Sequence, residues 1–301
     1  MPVANILAHG ASAGCAPTRN NIKPPVRGVT TGWSEHASRR NIQFLQSVDH
    51  EALHGNGYAA TLTLRDCPAT PEIWAAMLRA LFDRYTRMGM IRNHWVVEWH
   101  KRRVPHLHIS IWFPQEMPKR EIPRTIKRHW LEVSEPYGSA PRSQTVKRIH
   151  AFGGWAEYIS KHAARGAKHA QRSIDVRPEG WEKSGRIWGK RGDWVLIEPL
   201  RIEICEAGYQ ALKRKVRHWR IERAGDDPLR IAFAESMYEG TCPIESHMRG
   251  FSEWIPRDEM LQMVNELIEE GFEVLINPTT EERINSRLTH SVSAKSDTST
   301  L

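Results

Sequence analysis

The chain has 301 residues, 40% of them hydrophobic and 26% charged, which is enough apolar sequence for one large or two smaller folded domains. The formal charge of +8 favours polyanionic partners, and the four cysteines form no CxxC pair, which argues against a disulfide scaffold or a cysteine zinc site and fits a reducing cytoplasm. No run of about 18 apolar residues is present, so we expect no membrane span and no membrane partner.

Charge is distributed unevenly along the sequence. Between His100 and Arg172 there are fifteen Lys and Arg residues against five Asp and Glu, whereas residues 251–285 contain two against nine. A basic region of this kind is typical of a surface that binds a polyanion, and it also contains an unusual pair of histidines. We therefore expect anion binding and chemistry to share one site.

An aperiodic N-terminal segment precedes the first regular elements. Residues 1–45 are rich in Gly, Ala, Pro, Asn and Arg, and they predict a flexible arm. Tyr58–Asp66 shows β-branched alternation and predicts a strand. A helix follows this strand, because Thr70 suits its N-cap, Pro71 suits its first turn and Gly89 comes directly after its end.

A β-hairpin is predicted next, because two strand-like segments at residues 94–99 and 105–113 are joined by a short basic turn. Residues 119–134 predict a helix and Ser143–Ala151 a strand. Residues 153–168 predict a further helix, which carries part of the basic region.

The remaining sequence predicts a strand at residues 199–206, a basic helix at 207–224 and an acidic helix that begins at Pro256 and is followed by a further strand. The order β-α-β-β-α-β-α-β indicates an α+β fold with a central, mainly antiparallel sheet and packed helices, followed by a mostly helical C-terminal region. The predicted parts are a flexible arm (1–45), a sheet domain (46–205), a helical C-terminal region (206–285) and a disordered tail (286–301).

The second strand of the hairpin has two chemically different faces, because side chains alternate across a strand. One face is strongly apolar and predicts core contacts; it consists of Leu107, Ile109, Ile111 and Phe113. His106 and His108 project together from the other face. The alternative is a half-exposed strand with two polar histidines that bind nothing.

The same alternation on the first strand places Glu98 and His100 on the histidine side. If the turn centres near Arg102, Glu98 lies opposite His106. Two imidazoles and a carboxylate suit Mg²⁺ or Mn²⁺, and the lack of thiolates argues against a structural zinc. Glu98 is the first candidate for a third ligand and His100 is the alternative.

A second candidate cluster lies on the predicted helix 153–168. Tyr158 and Lys161 are three residues apart and therefore neighbour each other on one helix face. A phenol can attack a phosphodiester and become a covalent phosphotyrosine, and a nearby ammonium favours the phenolate and binds a phosphate oxygen. The alternative is a buried tyrosine beside a solvated lysine.

Three motifs in order, "TLTLRD", "PHLHIS" and "YISK", resemble the HUH endonuclease superfamily, and specifically the rolling-circle replication initiator (Rep) proteins of small plasmids and single-stranded DNA phages. The resemblance covers roughly residues 55–205 and implies an RRM-like core. It implies that His106 and His108 hold a divalent ion with a third polar ligand. It also implies that Tyr158 nicks one DNA strand, leaving a 5′-phosphotyrosine link and a 3′-hydroxyl primer, in the cytoplasm of a bacterial host.

The segment "GRIWGKRG" also resembles part of some phage-type initiators. Some relatives use two tyrosines one helical turn apart, but the positions four residues from Tyr158 are Gly154 and His162. The resemblance therefore implies a single-tyrosine enzyme. Strand closure would then require a second protomer, hence a homodimer, or a water activated by an acid such as Glu157.

DNA contacts are predicted from basic and aromatic side chains around the histidine pair. The candidates are Lys101, Arg102, Arg103, Trp112, Arg165 and Lys168. Further contacts with the DNA backbone are predicted from Lys213, Arg214, Lys215 and Arg217. For Trp112, packing is weighed against stacking on an unpaired base.

The function expected from these observations is initiation of rolling-circle replication by nicking single-stranded or hairpin origin DNA, with the host helicase and polymerase as further partners. The alternatives are a single-tyrosine transposase or mobilisation relaxase with the same chemistry, and a non-catalytic RRM-like nucleic-acid-binding protein whose histidines have no chemical role.

Overall fold

The structure is a computed structural model that describes residues 1–15, 32–150, 171–173, 177–236 and 250–278. The chain divides into two compact units, one of residues 23–196 and the other of residues 1–22 together with 197–301. Each described unit contains a five-stranded antiparallel sheet, and six helices are described in all. This confirms the predicted α+β class.

The strands are β1 (Pro2–Ile6), β2 (Ala11–Cys15), β3 (Asn56–Thr63), β4 (Arg92–Trp99), β5 (Pro105–Phe113), β6 (Thr145–Arg148), β7 (Trp188–Gly192), β8 (Leu200–Ile204), β9 (Phe251–Glu253) and β10 (Val274–Ile276). The helices are α1 (Glu35–Ser47), α2 (Pro71–Arg87), α3 (Ile122–Val133), α4 (Glu206–Ala224), α5 (Pro228–Ser236) and α6 (Arg257–Glu269).

The sheet of residues 23–196 has the strand order β6-β3-β5-β4-β7, so β5 is its central strand. β5 pairs with β3 over the whole length of β3, from Asn56 opposite Phe113 to Thr63 opposite His106. On its other side β5 pairs with β4 through a tight hairpin, in which the His100 N–H donates to the carbonyl of Val104 at 2.9 Å. A strand with partners on both sides has every backbone group in a ladder, which makes β5 a rigid support.

One face of this sheet is covered by α2 and α3. The side chains of β5 that enter this core are the four apolar residues that alternation predicted, and all four are fully buried. α2 begins as predicted, because the Thr70 side chain accepts from the Ile73 N–H and Pro71 occupies its first turn. The Tyr85 hydroxyl of α2 donates to the carbonyl of Ile126 in α3 at 3.2 Å, so the two helices are also joined by a buried hydrogen bond.

The opposite face carries Glu98, His106 and His108, and we call it the histidine face. α1 covers the end of this face that is remote from the hairpin turn. Phe44 of α1 stacks on the buried His94 ring at a centroid distance of 5.6 Å, and Asn41 Oδ1 lies 2.7 Å from His94 Nε2. Burial, followed by the charge of Lys190, lowers the pKa of His94 to about 3, so this imidazole is neutral in the folded protein.

The second unit has the strand order β10-β8-β1-β2-β9. Its core joins Ala4 and Ile6 of β1 to Ile202 and Ile204 of β8 and to apolar residues of α4 and α6. The acidic helix α6 lies against the basic helix α4, and Lys215 of α4 bonds Glu266 at 2.7 Å and Glu270 at 2.8 Å. Part of the positive charge of α4 is therefore paired with part of the negative charge of α6 and of Glu270.

Several expectations about the architecture are wrong. Residues 1–45 are not one flexible arm, because they contribute β1, β2 and α1. The strand predicted at residues 199–206 does occur, as β8, but it pairs with β1 and β10 in the second sheet. The fifth strand of the first sheet is instead β7, which pairs with β4 and lies in the segment "GRIWGKRG".

The predicted C-terminal helices are present as α4 and α6, but the region 206–285 also supplies strands β9 and β10. The helix predicted at residues 153–168 and the tail predicted at 286–301 lie outside the described residues. None of the helices in the described ranges has the length and apolar character that crossing a membrane requires.

Candidate active site

The hairpin register places Glu98 of β4 directly opposite His106 of β5, as strand alternation predicted. His108 lies opposite Thr61 of β3, and His106 opposite Thr63. Three neighbouring strands therefore project polar side chains from one patch of the histidine face. The patch is anchored from behind, because Leu107, between the two histidines, is fully buried in the core on the other face.

His108 lies between two partners. Its Nδ1 is 3.2 Å from Thr61 Oγ1, and its Nε2 is 3.7 Å from Glu98 Oε2. The His106 and His108 rings meet edge to face with centroids 4.6 Å apart. If the Thr61 hydroxyl accepts a hydrogen bond from Nδ1–H, the Nε2 atom of His108 is unprotonated and its lone pair is directed towards Glu98. A histidine that binds a metal through Nε2 needs this tautomer.

His100 is less well placed than Glu98 to be a third ligand. Its ring centroid is 6.3 Å from that of His106, and its Nδ1 accepts the backbone N–H of Arg102 at 3.3 Å. Partial burial, together with the charges of Arg102 and Lys101, lowers the pKa of His100 below its usual value. The structure therefore brings Glu98, rather than His100, to His108.

Glu98 is fully buried and paired with Arg172. Arg172 donates to Glu98 Oε1 from Nε at 2.9 Å and from Nη2 at 2.8 Å. The guanidinium also lies over the Trp33 ring, 3.9 Å from its centroid. The two carboxylate oxygens of Glu98 thus have different neighbours, since Oε1 meets Arg172 and Oε2 faces His108.

The donor set fits a hard or borderline divalent ion. Metal–ligand bonds of roughly 2.0–2.2 Å put two ligands of one ion about 3–4 Å apart, and the 3.7 Å between Glu98 Oε2 and His108 Nε2 falls in that range. Imidazole and carboxylate ligands without thiolate suit Mg²⁺ or Mn²⁺. Within the described ranges, no group of three His, Cys, Asp or Glu side chains is arranged so that it could hold a metal ion.

Trp112 is not available to stack on DNA, although it lies on the histidine face. It is 4% exposed, and its ring meets Trp194 edge to face at 5.3 Å. A Cβ atom added to Gly57 would lie 2.7 Å from Trp112 Nε1, so the indole is packed against the β3 backbone. The prediction that Trp112 contacts DNA is therefore wrong, because α1 and the residues after β7 cover this end of the face.

The basic turn of the hairpin is exposed at Lys101, Arg102 and Arg103. Arg103 has a φ of 61°, which closes the turn, and Arg102 Nη2 donates to the Leu64 carbonyl at 3.3 Å. These cations therefore border the patch of Glu98, His106 and His108. The other predicted site residues, Tyr158, Lys161, Arg165 and Lys168, lie outside the described residues.

The basic residues of α4 are only partly accessible. Lys213 is 6% exposed and lies over the Tyr209 ring, with Nζ 5.4 Å from its centroid. Lys215 contacts the carboxylates of Glu266 in α6 and of Glu270 directly after it, and its pKa is raised by hydrogen bonds to Glu266 and then Glu270. Lys213 and Lys215 therefore make contacts within the second unit, and DNA contact by the basic residues of α4 stays a prediction.

Three residues of the site, Thr61, Arg172 and Trp33, are not among those predicted from the sequence. Thr61 had a usable signal, since the alternation of "TLTL" places Thr61 and Thr63 on the face opposite the core. No sequence pattern indicates Arg172 or Trp33, because both come from segments far from β4 in the sequence. Arg172 contacts Glu98, and Trp33 contacts the β4 backbone at Val97. Contacts of that kind depend on tertiary structure and leave no local periodicity.

Comparison with known proteins identifies the family. The profile described as Replication-associated protein ORF2/G2P matches residues 57–163, a range that includes both histidines and Tyr158. A putative replication protein of Xylella fastidiosa strain 9a5c is 41% identical over 285 residues, which is 91% of this chain and 99% of that protein. One from strain Temecula1 is 44% identical over 84% of this chain and 99% of its own length.

The replication-associated protein G2P of Pseudomonas phage Pf3 is 41% identical over 252 residues, covering 83% of this chain and 90% of the phage protein. No solved structure matches the chain. Identity above 40% over nearly the whole of three replication proteins agrees with the resemblance found in the motifs, and the chain therefore belongs to the ORF2/G2P family of replication-associated Rep proteins.

Proposed function

We propose that this protein initiates rolling-circle replication by nicking one strand of origin DNA with Tyr158 at a divalent metal site. The observation that carries the proposal is the register of the hairpin, which brings Glu98 opposite His106 and next to His108 on one face of a rigid sheet. Membership of the ORF2/G2P family supports the replication role, since relatives that cover nearly all of this chain are named replication proteins.

The proposed reaction is a transesterification at one phosphodiester. The phenolate oxygen of Tyr158 attacks phosphorus, a new P–O bond forms to the tyrosine, and the bond from phosphorus to the 3′ oxygen breaks. The phenol proton passes to solvent before the attack, and the leaving 3′ oxygen takes a proton from solvent to become the hydroxyl that primes synthesis, while the 5′ phosphate stays on the protein. Lys161 stabilises the phenolate and contacts a non-bridging phosphate oxygen.

Glu98, His106 and His108 would hold the divalent ion, Mg²⁺ or Mn²⁺, which when bound supplies Lewis-acid polarisation of the scissile phosphate. Thr61 fixes the tautomer and the ring orientation of His108. The buried core behind Leu107 keeps the β5 backbone in place while the DNA binds. In this proposal the ligands would already be in position before the substrate arrives, which would lower the reorganisation needed for reaction.

The proposed substrate is single-stranded or hairpin origin DNA, because the scissile phosphate must reach the histidine face without a paired strand in the way. Lys101, Arg102 and Arg103 at the hairpin turn would contact phosphates next to the site, and such contacts give affinity that falls with salt. After nicking, the host helicase and polymerase would extend the primer. Closure would use a second protomer or a water activated by Glu157.

The nucleophile is tested by changing Tyr158→Phe and incubating the protein with a labelled origin single strand and Mn²⁺. We expect the covalent protein–DNA band on a denaturing gel to disappear while DNA binding stays within about twofold, because only the phenolic oxygen is removed. Tyr137→Phe is the matched control, since this half-buried tyrosine packs beside the α2–α3 core. A covalent band that persists in Tyr158→Phe would refute the assignment.

The metal site is tested with His106→Ala combined with His108→Ala. Nicking of a supercoiled plasmid in Mn²⁺ should fall by at least about 100-fold, because two of the three ligands are lost. His129→Ala, which removes an imidazole that pairs with Glu132 on α3, should leave nicking unchanged. Undiminished nicking by the double variant would exclude the site, and DNA binding without any nicking by the unaltered protein would favour a non-catalytic RRM-like binder.

A further inference from the structure

The pairing of Glu98 with Arg172 is unusual for its complete burial. Both side chains have no exposed surface, and the carboxylate accepts two hydrogen bonds on the same oxygen, Oε1. Removing two charges from water costs several kcal/mol per ion, and a buried ion pair often contributes no more stability than well-packed apolar residues. Stability alone is therefore a weak explanation for a charge pair at this position.

The guanidinium of Arg172 is held against β4 from both sides of Glu98. Trp33, whose ring lies under the guanidinium, donates its Nε1–H to the carbonyl of Val97 at 2.8 Å. On the other side, the Trp99 N–H donates to the carbonyl of Gln171 at 2.8 Å. Arg172 is thus tied to the two residues that flank Glu98, so its position relative to the carboxylate is fixed by the backbone of the ligand strand itself.

We propose that Arg172 is a positioning residue that orients Glu98 for metal binding, a role that rests on the function proposed above. Arg172 occupies Oε1, so the carboxylate offers Oε2 to the side on which His108 Nε2 lies 3.7 Å away. A planar guanidinium with two donors fixes the rotation of a carboxylate as a single ammonium cannot. Glu98 would therefore bind an ion through one oxygen and always the same one.

The charge of Arg172 has a second consequence for the site. Glu98 and Arg172 cancel, and His106 and His108 bind metal as neutral imidazoles, so the whole ligand set with its buried partner is neutral. The protein would then not offset the double positive charge of a bound ion, and that charge would act in full on the scissile phosphate. Arg172 thereby determines both the direction of the third ligand and the charge that the DNA meets.

The test measures binding of Mn²⁺ alone, with the free-ion EPR signal as the readout, in the full chain without DNA. Arg172→Lys keeps the positive charge and removes the two-donor contact, so it changes the orientation of Glu98 without leaving a buried charge uncompensated. We expect the dissociation constant for Mn²⁺ to rise by about 10- to 100-fold. Circular dichroism establishes that the variant is folded.

A double-mutant cycle with Glu98→Gln separates positioning from general structural support. If Arg172 acts through Glu98, Arg172→Lys should weaken Mn²⁺ binding in the unaltered background and have no further effect in the Glu98→Gln background. Equal losses in both backgrounds would show that Arg172 only supports the fold. Unchanged or tighter binding by Arg172→Lys would also overturn the proposal.

Trp33→Phe provides a second route if Arg172→Lys does not fold. It removes the N–H that holds the indole to Val97 and weakens the ring that supports the guanidinium, and Mn²⁺ binding should weaken by about threefold. Mn²⁺ affinity that is unchanged in this variant would count against the role of Arg172. Failure of the unaltered protein to bind Mn²⁺, or binding that survives loss of His106 and His108, would instead refute the metal site itself.

Discussion

The buried His94 should make the sheet unit of residues 23–196 lose stability in mild acid. This imidazole has no exposed surface, stacks on Phe44 and lies 2.7 Å from Asn41 Oδ1, while Lys190 adds a positive charge nearby. Burial lowers its pKa from 6.5 to about 3 in the folded protein. The perturbation is His94→Gln, which keeps an amide for Asn41 but cannot titrate.

The sign follows from the direction of the shift. Between pH 6.5 and about 3 the unfolded chain binds a proton at His94 that the folded protein does not, so stability is present above pH 6.5 and is lost as the pH falls. Between pH 7.5 and pH 5 the loss from this one group is about 2 kcal/mol, since one pKa unit corresponds to roughly 1.4 kcal/mol.

The assay is guanidinium unfolding followed by tryptophan fluorescence at pH 7.5, 6 and 5. Ten of the twelve tryptophans lie between residues 23 and 196, so the signal reports on the correct unit. The loss of unfolding free energy between pH 7.5 and pH 5 should be about 2 kcal/mol smaller in His94→Gln than in the unaltered protein. His36→Gln, at an exposed position on α1, the helix that covers His94, is the control.

An equal loss of unfolding free energy over this pH range in His94→Gln and in the unaltered protein would contradict a low pKa for His94. Such a result would mean that His94 is protonated in the folded protein, and hence that water or a carboxylate reaches the ring under α1. A lower stability of His94→Gln at every pH, with an unchanged slope, would report lost packing against Phe44 and would lead to the same conclusion about titration.

Three further predictions concern packing and charge. Gly192→Ala should lower the free energy of unfolding by several kcal/mol, because its φ is 84° and an added Cβ would lie 2.0 Å from the Ile91 carbonyl. Gly89→Ala, with a φ of 88° and no atom within 4 Å of the added Cβ, should lower it by only about 1–2 kcal/mol, as measured by chemical denaturation. Ile109→Ala should lower the unfolding free energy by about 2–5 kcal/mol, and a loss below about 1 kcal/mol would contradict the buried position of Ile109. Lys215→Met should lower the melting temperature at low salt by an amount equivalent to about 1 kcal/mol, and this difference should shrink in 1 M NaCl if the pairs with α6 act through charge.

The alternation of side chains on the hairpin was sufficient to predict the centre of the site. Leu107, Ile109, Ile111 and Phe113 are buried in the core, and Glu98 lies opposite His106, because a strand in a two-layer sheet has no freedom to rotate one residue without exposing its apolar face. The strand β3 and the capped helix α2 were predictable for the same reason, since their signals lie within the segments themselves.

The parts that sequence could not predict are those in which distant segments meet. β1 and β2 are short and contain small residues, and β1 pairs with β8, which lies about 200 positions away in the sequence. Trp112 follows the alternation rule but is covered by Trp194, so its exposure could not be predicted from its own strand. Arg172 reaches Glu98 through tertiary structure alone.

The interrupted order of the second unit has a consequence for how the protein is made. β1 lies between β2 and β8, and β8 is translated some 190 residues after β2. At roughly 5–20 residues per second, β1 and β2 wait on the order of 10–40 s for the strand that completes their side of the sheet, while residues 23–196 can already fold. A nascent hairpin with an open strand edge invites wrong pairing during that interval. Slower translation of the residues between β2 and β8 should therefore reduce the soluble yield without altering the finished protein.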